Sequence, residues 1–360
     1  MDYTKEQTAR IWLQCAPMSA WNKLREWSSQ LSGPEQLWDV FSPDFFSLLG
    51  DSAYAQLADA REKRCADALA QLDRLNARAV FLGDPDYPAL LSRISDPPDV
   101  IFCQGALPPD DQMAAAIVGS RSATRYGLTQ ARRIAGELAR QGVAVVSGLA
   151  RGIDAAAHEG ALAADGMTVA VLGSGLGNLY PPENRKLAER IIQNGGAVIS
   201  ELAPDEKPLS CHFPVRNRII SGLCGAVLLI EAQMRSGTHS TVNYALHQGR
   251  EVFALPGNVD APGSELPLAL LKDGSHLCTC GQDILEEMGW AGRAPRQESL
   301  FEETEPADPI LRALALEEKT LEELITLTGM NAGELSAQLT ILEISGKIQR
   351  RAGRAYALCR

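Results

Sequence analysis

The segment Phe213-Pro-Val-Arg-Asn-Arg218 places two arginines around an asparagine, directly before an apolar run. A guanidinium group binds phosphate through a planar fork of N–H donors, and an amide can read the polar edge of a base. The ring of Phe213 could stack on a base or pack in a core, and the sequence leaves both open. Burying an arginine without a partner destabilises the fold. We therefore expect Arg216, Asn217 and Arg218 to face a polar groove.

Four further polar segments each follow a short apolar run that is typical of a strand. Amides at the start of a helix carry partial positive charge and bind anions, and hydroxyl groups and arginines add donors. The candidate binding residues in these segments are Gly119, Ser120, Arg121, Ser147, Gly148, Arg151, Gly152, Gly173, Gly175, Arg185, Lys186, Ser236 and Gly237. Each segment taken alone is also compatible with an ordinary turn or a solvated helix end. Together, the five segments predict one composite site for a polyanion.

Two other polar residues follow the second of these segments. Asp154 is placed to cap the helix that follows, which is a structural role. His158 lies four residues later, on the same predicted helix. We expect it to be a hydrogen-bonded structural group and not a catalyst.

The elements that position these segments alternate between strand and helix. Valine-rich and isoleucine-rich apolar runs predict strands buried on both faces at residues 115–119, 143–147, 168–173, 197–201, 226–231 and 251–255. Helical patterns lie between most of them, at residues 128–141, 155–164, 183–194 and 238–248. This alternation predicts an α/β fold with a doubly wound parallel sheet. Ligands of such sheets bind at the carboxyl ends of the strands, where the polar segments fall.

The two ends of the chain differ from this middle region. Residues 1–78 have helical patterns anchored by tryptophans and predict a helical domain. Residues 291–307 are rich in proline and acidic residues and predict a linker. Residues 308–360 combine two capped helices with a basic hairpin, which is typical of a winged helix.

Bulk properties narrow the class of protein. The net charge of −11 argues against a generally basic nucleic-acid binder, although a local groove can still be positive. No apolar run approaches the ~20 residues that span a bilayer, and the N-terminus does not have a signal-peptide pattern. We therefore expect a cytoplasmic protein without a membrane partner. The eight cysteines are scattered, and the pair Cys278 and Cys280 is a poor zinc signature, so we expect free thiols and no metal.

Catalytic patterns are missing from the sequence. There is no G-x-x-x-x-G-K-[ST] motif for ATP, and Gly173-Ser-Gly-Leu-Gly177 lacks the G-x-G-x-x-G spacing of a dinucleotide turn. We find no nucleophile, base and orienting group at a recognisable spacing. The sequence therefore favours binding over turnover, with no cofactor.

The ordered segments resemble the DNA-processing protein A family (DprA, also called Smf). The matching pieces are Ile117-Val-Gly-Ser-Arg121, Val146-Ser-Gly-Leu-Ala-Arg-Gly-Ile-Asp154, Val169-Ala-Val-Leu-Gly173, Tyr180-Pro181, Ile199-Ser-Glu201, Phe213-Pro-Val-Arg-Asn-Arg-Ile-Ile-Ser-Gly-Leu223, Ser236-Gly237 and Gly249-Arg-Glu-Val-Phe-Ala-Leu-Pro-Gly257. The resemblance covers roughly residues 80–285. The chain departs from the family pattern at residues 238–241 and 263–272.

The resemblance implies an extended Rossmann-like domain, over residues 79–290, that binds single-stranded DNA without sequence preference. Family members protect incoming DNA during natural transformation and load the RecA recombinase, and they act as homodimers without known catalysis. A helical domain of the sterile-alpha-motif (SAM) type and a winged helix are common attachments. By the same resemblance, the DNA groove is lined by Arg121, Arg151, Phe213, Arg216, Asn217 and Arg218.

Two other functions stay open at this point. The same sheet architecture serves nucleotide-processing enzymes that cleave N-glycosidic bonds, in which case Glu231 or Glu201 would be the catalytic carboxylate. Pro256-Gly-Asn258 lacks the second glycine expected of such enzymes. The other alternative is a sequence-specific regulator that acts through the C-terminal winged helix.

Overall fold

The computed structural model describes residues 3–42 and 57–291, and beyond them residues 310, 313–314, 319–344, 348–350 and 355–358. The chain divides into two compact units, Met1–Pro295 and Arg296–Arg360. The linker predicted over residues 291–307 lies outside the described residues except for Ala291.

The first unit begins with a group of helices. They are α1 (Lys5–Cys15), α2 (Trp21–Gln30), α3 (Pro34–Val40) and α4 (Cys65–Arg74), the last preceded by a π-helical turn over Ala60–Arg64. Thr4 opens α1 with a capping box, because its hydroxyl accepts from the backbone N–H of Gln7 while the Gln7 side chain accepts in return.

These helices do not stand apart from the sheet. Trp12, which is fully buried, belongs to one hydrophobic cluster with Phe81 and Phe102 of the sheet. The boundary predicted at residue 78 falls inside a strand, so it does not separate two compact units.

Within residues 57–291, nine strands form a single sheet. They are β1 (Ala77–Phe81), β2 (Val100–Gly105), β3 (Ala114–Val118), β4 (Ala144–Ser147), β5 (Thr168–Val171), β6 (Ala197–Ser200), β7 (Ala226–Leu229), β8 (Glu251–Ala254) and β9 (His276–Leu277). Their order is β1-β2-β6-β5-β4-β3-β7-β8-β9, and only the pairings β1–β2 and β2–β6 are antiparallel. The predicted α/β fold with a mostly parallel sheet is confirmed.

The chain reverses direction across the sheet at β3. Strands β4 to β6 extend the sheet on one side of β3, whereas β7 pairs with its other side. The crevice beyond the carboxyl ends of strands at such a switch point is where open α/β sheets bind ligands.

Helices cover both faces of the sheet. In chain order they are α5 (Ala89–Ser92), α6 (Arg125–Arg140), α7 (Ile153–Leu162), α8 (Arg185–Gln193), α9 (His212–Gly222), α10 (Thr238–His247), α11 (Glu265–Lys272) and α12 (Gly281–Glu287). The arginine-rich segment, which the sequence predicted as a polar strand-end segment, is helix α9. The departures from the family pattern lie at the start of α10 and over the whole of α11 with the two residues before it.

The second unit has its own small core. Strands β10 (Lys319–Thr320), β11 (Ile348–Arg350) and β12 (Ala355–Leu358) pair in the order β10-β12-β11, beside α13 (Leu321–Thr328) and α14 (Ala332–Ile344). Thr320 and Glu323 form the predicted capping box, and Gly329 ends α13 with a left-handed backbone.

Candidate nucleic-acid interface

An open cleft of about 620 Å³ lies beyond the carboxyl ends of the parallel strands. Its wall combines the segments that follow β3, β4, β5, β6 and β7 with the first turns of α9 and α10. The predicted binding residues that line it are Gly119, Ser120, Arg121, Phe213, Arg216, Asn217, Ser236 and Gly237. Part of the predicted composite site is thus brought together at the switch point of the sheet.

Two guanidinium groups lie close to the ring of Phe213. The carbon Cζ of Arg121 lies 5.2 Å from the ring centroid, and that of Arg216 lies 5.9 Å from it. Tyr180 contacts the same ring edge-on, with centroids 5.9 Å apart. Cations at this distance from an aromatic face are attracted by its quadrupole, so both charges help to hold the ring at the cleft.

Arg216 is a cation built into the cleft wall. Its side chain is almost fully buried, and Nη1 donates to the backbone oxygens of Gly148, at 3.0 Å, and of Val171. Burial lowers the pKa of Arg216 to about 10, the nearby carboxylate of Asp154 opposes this shift, and the charge of Arg121 adds to it. The guanidinium still carries its charge at neutral pH.

Asn217 joins the two helices that border the cleft. Its Nδ2 donates to Ser240 Oγ at 2.8 Å and to the backbone oxygen of Gly237 at 3.3 Å. Its Oδ1 accepts from Nε of Arg216 at 3.2 Å. The amide expected to read a base edge is therefore engaged within the protein, where it fixes α9 against the start of α10.

Arg121 is the exposed cation of the cleft. It lies in the turn between β3 and α6, where the Ser120 hydroxyl accepts from the backbone N–H of Ser122. Thr124 caps α6 by accepting from the backbone N–H of Gly127. The Arg121 side chain thus extends from a braced turn into solvent, where a phosphate can reach it.

Arg218 does not face the cleft, and the expectation that it would is wrong. It is almost fully buried, and its guanidinium donates to both carboxylate oxygens of Glu201, at 2.6 and 2.8 Å. Nε lies 3.3 Å from Oδ2 of Asp96. A buried arginine is destabilising when it has no partner. Here the carboxylates of Glu201 and Asp96, both distant in sequence, pair with Arg218.

Several predicted residues lie behind or beside the cleft lining. Ser147 is fully buried and donates to the backbone oxygen of Ile117. The glycines permit close approach: Gly148 lies against the Arg216 guanidinium, Gly152 against the Ser120 backbone, Gly173 against the Phe213 ring and Gly175 against the backbone of Ala203 and Pro204. These residues shape the cleft without presenting side chains to it.

Three predicted cations are exposed but do not line the cleft. Arg185 and Lys186 begin α8. Arg151 forms an ion pair with Glu183, and both side chains are about half exposed. A solvent-exposed pair of this kind is weak, so Arg151 can exchange partners at little cost.

Two predictions about structural residues have different outcomes. Asp154 does not cap α7; it lies in the first turn, and Oδ2 accepts from the backbone N–H groups of Gly148 and Ala150. This carboxylate braces the loop after β4, an arrangement that local spacing does not reveal. His158 is fully buried, and Nδ1 lies 2.7 Å from Thr168 Oγ1. Burial is the main reason that the pKa of His158 is lowered to about 3, and the positive charge of Arg216 adds to this effect. His158 is therefore neutral at physiological pH.

The two carboxylates considered as catalysts also have structural partners. Glu201 holds Arg218, as described above. Glu231 is buried and accepts from both the backbone N–H and the hydroxyl of Thr124 at the start of α6. Neither carboxylate lines the cleft.

Sequence reasoning missed several residues of the cleft wall. They are Val118, Ala150, Asp154, Tyr180, Pro208, Ser210, Pro214, Ile220 and Thr241. Pro208 and Ser210 belong to the connection between β6 and α9, which has no periodic pattern that could mark it. Tyr180 could have been found from the sequence, because it precedes Pro181 in one of the segments that resemble the family.

The described residues contain neither a metal-ligand cluster nor a membrane-spanning helix. Among them, no group of three or more histidine, cysteine or acidic side chains could hold a metal ion. None of the helices in the described ranges has the length and apolar character needed to cross a bilayer.

Comparison with known proteins gives the family. Residues 78–289 match the family described as DNA recombination-mediator protein A, and residues 294–354 match the DprA winged helix domain. The chain belongs to the DprA/Smf family. The resemblance inferred from the ordered glycine turns is thereby confirmed, as is the winged helix expected at the C-terminal end.

Individual DprA/Smf proteins align over much of this chain. Protein Smf of Escherichia coli K12 is 39% identical over 296 residues, which is 79% of each chain. The DNA processing protein DprA of Streptococcus pneumoniae is 43% identical over 204 residues, 57% of this chain and 72% of the relative.

Solved DprA structures share the fold. The S. pneumoniae DprA structure superposes with a TM-score of 0.64 at 33% identity, covering 80% of this chain and 99% of that one. DprA of Helicobacter pylori, described for its unique single-stranded DNA binding mode, superposes with a TM-score of 0.53 at 28% identity, covering 59% and 95%.

Proposed function

We propose that this protein binds single-stranded DNA in the cleft beyond β3 to β7 and acts as a recombination mediator without catalysis. The observation that carries the proposal is the Phe213 ring beside the guanidinium groups of Arg121 and Arg216 in an open cleft. A base can stack on such a ring while its phosphates contact the cations, as in other single-strand binders. The family description and the single-stranded DNA binding of the H. pylori relative support it.

The side chains of the cleft favour binding without sequence preference. Every base has a π-face, so an aromatic ring accepts any of them. The Asn217 amide, which could discriminate between bases, is bonded to Ser240 and Gly237. Affinity then comes from stacking and from phosphate contacts, and neither distinguishes one base from another.

A charge reversal at Arg121 tests the site. Arg121 is exposed and no ion pair holds it in the described part of the chain, so Arg121→Glu should leave the fold intact. We expect affinity for a labelled thymidine oligonucleotide, measured by fluorescence anisotropy, to fall at least about tenfold. Arg140→Glu makes the same change in net charge on an exposed residue at the far end of α6 and should bind normally. Equal affinities for the two variants would refute the site.

The type of nucleic acid is tested in the same titration. The duplex of the same sequence should compete poorly, because its bases are already stacked on each other. If duplex binds as well as single strand, the regulator that acts through its winged helix becomes the better account.

We propose the RecA recombinase as a partner of this protein. A mediator bound to single-stranded DNA should speed the growth of RecA filaments on strands coated with single-strand-binding protein. RecA ATPase activity on such strands should therefore rise with this protein and fail to rise with Arg121→Glu. We further propose, from the family resemblance, that the protein is a homodimer, which sedimentation equilibrium tests. We also propose that it protects incoming DNA in natural transformation, which transformation assays test.

The absence of catalysis is tested separately. Because Glu201 and Glu231 are both engaged inside the protein, we expect no release of free base from nucleoside monophosphates. Release that disappears in Glu231→Gln would overturn this part of the proposal and leave DNA binding to be judged on its own.

A further inference from the structure

A second cavity, of about 340 Å³, lies beside the cleft. It is bordered by the end of α1, the start of α2 and the segment between β6 and α9. Its apolar wall includes Pro17, Met18, Trp21, Leu202 and Leu209. A cavity of this size and composition falls at the lower end of the range for small-molecule sites.

Two buried polar side chains on the cavity wall have hydrogen-bonding capacity left over. Gln14 is 5% exposed, and its single bond, from Nε2 to the backbone oxygen of Glu201 at 2.7 Å, leaves the side-chain oxygen unused. His212 is also 5% exposed, and its Nδ1 has no partner among the described residues. Buried polar atoms without partners are rare because each costs stability, so His212 Nδ1, together with the unused oxygen of Gln14 on the same wall, points to a ligand with a polar edge.

The charges around the cavity cancel. Among the described residues that line it, Arg64 and Glu206 form an ion pair at 2.8 Å. A phosphate would have to displace Glu206 to reach Arg64. The ligand is therefore better matched if it is uncharged.

The second cavity and the cleft share one wall. Along the segment before α9, Pro208 and Ser210 line the cleft, whereas Leu209 between them lines the second cavity. At the start of α9 the same division recurs, with His212 on the second cavity and Phe213 in the cleft. Because this wall is a single stretch of chain, neighbouring nucleotides of one strand can reach both sides of it.

We propose that the second cavity binds a nucleobase of the strand that lies in the cleft. The inference rests on the proposed function, because it needs that strand. The flat apolar faces of a base can pack on Trp21 and Pro17, and its polar edges can form hydrogen bonds with Gln14 and His212. Pockets that receive an extruded base combine the same two kinds of contact. An apolar side chain of a partner protein would fill the same space but leave both polar groups unpaired.

Photocrosslinking tests the position of the base. A thymidine oligonucleotide carrying 5-iodouracil at one position at a time is irradiated with the full-length protein, and the crosslinked peptides are sequenced. We expect one set of positions to crosslink to Phe213 or Tyr180 and a neighbouring set to Trp21 or Met18. Crosslinks to the cleft alone would overturn the inference while supporting the cleft. Failure to bind the oligonucleotide would refute both, and so identifies a failure of the proposed function itself.

A histidine substitution tests the contribution to affinity. His212→Leu keeps the bulk of the side chain and removes its hydrogen bonds. Affinity for an oligonucleotide long enough to reach both sites should fall about tenfold, whereas a short one that fills only the cleft should bind normally. His247→Leu is the matched control, since His247 is exposed on α10 and lines neither cavity. An unchanged affinity of His212→Leu for the long oligonucleotide, or an equal loss for both lengths, would contradict the proposal.

Discussion

Arg218 and Glu201 form a bidentate ion pair in the interior, with N–O distances of 2.6 and 2.8 Å. Arg216, two residues earlier on α9, lines the cleft. Two steps along an α-helix turn the side chain by about 200°, so the two arginines project to opposite sides. One of them stabilises the fold and the other supplies charge at the cleft.

Removing the buried arginine should destabilise the protein. Arg218→Met leaves the buried Glu201 carboxylate without its bidentate partner and with Arg25 Nη2 3.8 Å away, which costs about 3–5 kcal/mol of the free energy of unfolding. Urea denaturation followed by circular dichroism measures this. Replacing both partners, in Arg218→Met with Glu201→Leu, should recover most of the loss, and Arg121→Ala should stay within about 0.5 kcal/mol of the natural protein. A stable Arg218→Met would mean that the pair contributes little.

The position of the Phe213 ring depends on a glycine. A Cβ added at Gly173 would lie 2.7 Å from Cδ1 of Phe213, so Gly173→Ala must displace the ring. We expect DNA affinity to fall about as far as in Phe213→Ala, with little further loss when the two changes are combined. Gly263→Ala is the control, because a Cβ added there meets its nearest atom at 3.5 Å and Gly263 does not line the cleft. Additive losses measured by anisotropy would argue against this coupling.

Stacking and charge should separate in their response to salt. Arg121→Gln removes one phosphate contact, so the slope of log affinity against log salt should become shallower by about 0.7. Phe213→Leu should weaken binding by about 1–3 kcal/mol at every salt concentration and leave the slope unchanged. Titrations at several sodium chloride concentrations distinguish the two. A changed slope in Phe213→Leu would indicate that the ring positions phosphate contacts as well.

His158 should make the protein less stable in acid. Its pKa in the fold is about 3, below the value of about 6.5 in an unfolded chain, so the unfolded chain binds more protons between these limits. The contribution of neutral His158 to the free energy of unfolding is fully present above a pH of about 6.5. It is lost at about 1.4 kcal/mol per pH unit as the pH falls towards 3. His158→Asn keeps an N–H donor for Thr168 and does not titrate, so its free energy of unfolding should fall less steeply with acid. Parallel curves for the two proteins would contradict the assignment.

The sequence predicts the sheet well and the arginine segment poorly, for a physical reason in each case. The central strands are fully buried, so runs of valine and isoleucine such as 143–147 mark them directly. The sequence predicts the arginine segment as a polar segment at a strand end, although its proline does not exclude a helix. Pro214 is the third residue of α9, in the first turn, where a missing N–H costs nothing.

The distribution of the two arginines could not be predicted from local pattern. Glu201 lies 17 residues before Arg218, and Asp96 lies 122 residues before it. Only the folded chain brings these carboxylates to the guanidinium. Arg121 was predictable, since a cation in a turn between a strand and a helix is exposed wherever the turn is.

Arg216 donates to backbone oxygens at the ends of two neighbouring strands, β4 and β5, while it also faces the cleft. A lysine could restore the charge but has no Nε–H, which Arg216 donates to Oδ1 of Asn217 while its Nη1 holds the two strand ends. A variant that loses binding through Arg216 will therefore also have a loosened scaffold, and the two defects will be inseparable in an assay. At Arg121, by contrast, the proposed affinity for DNA can be tuned while these hydrogen bonds to the strand ends stay intact.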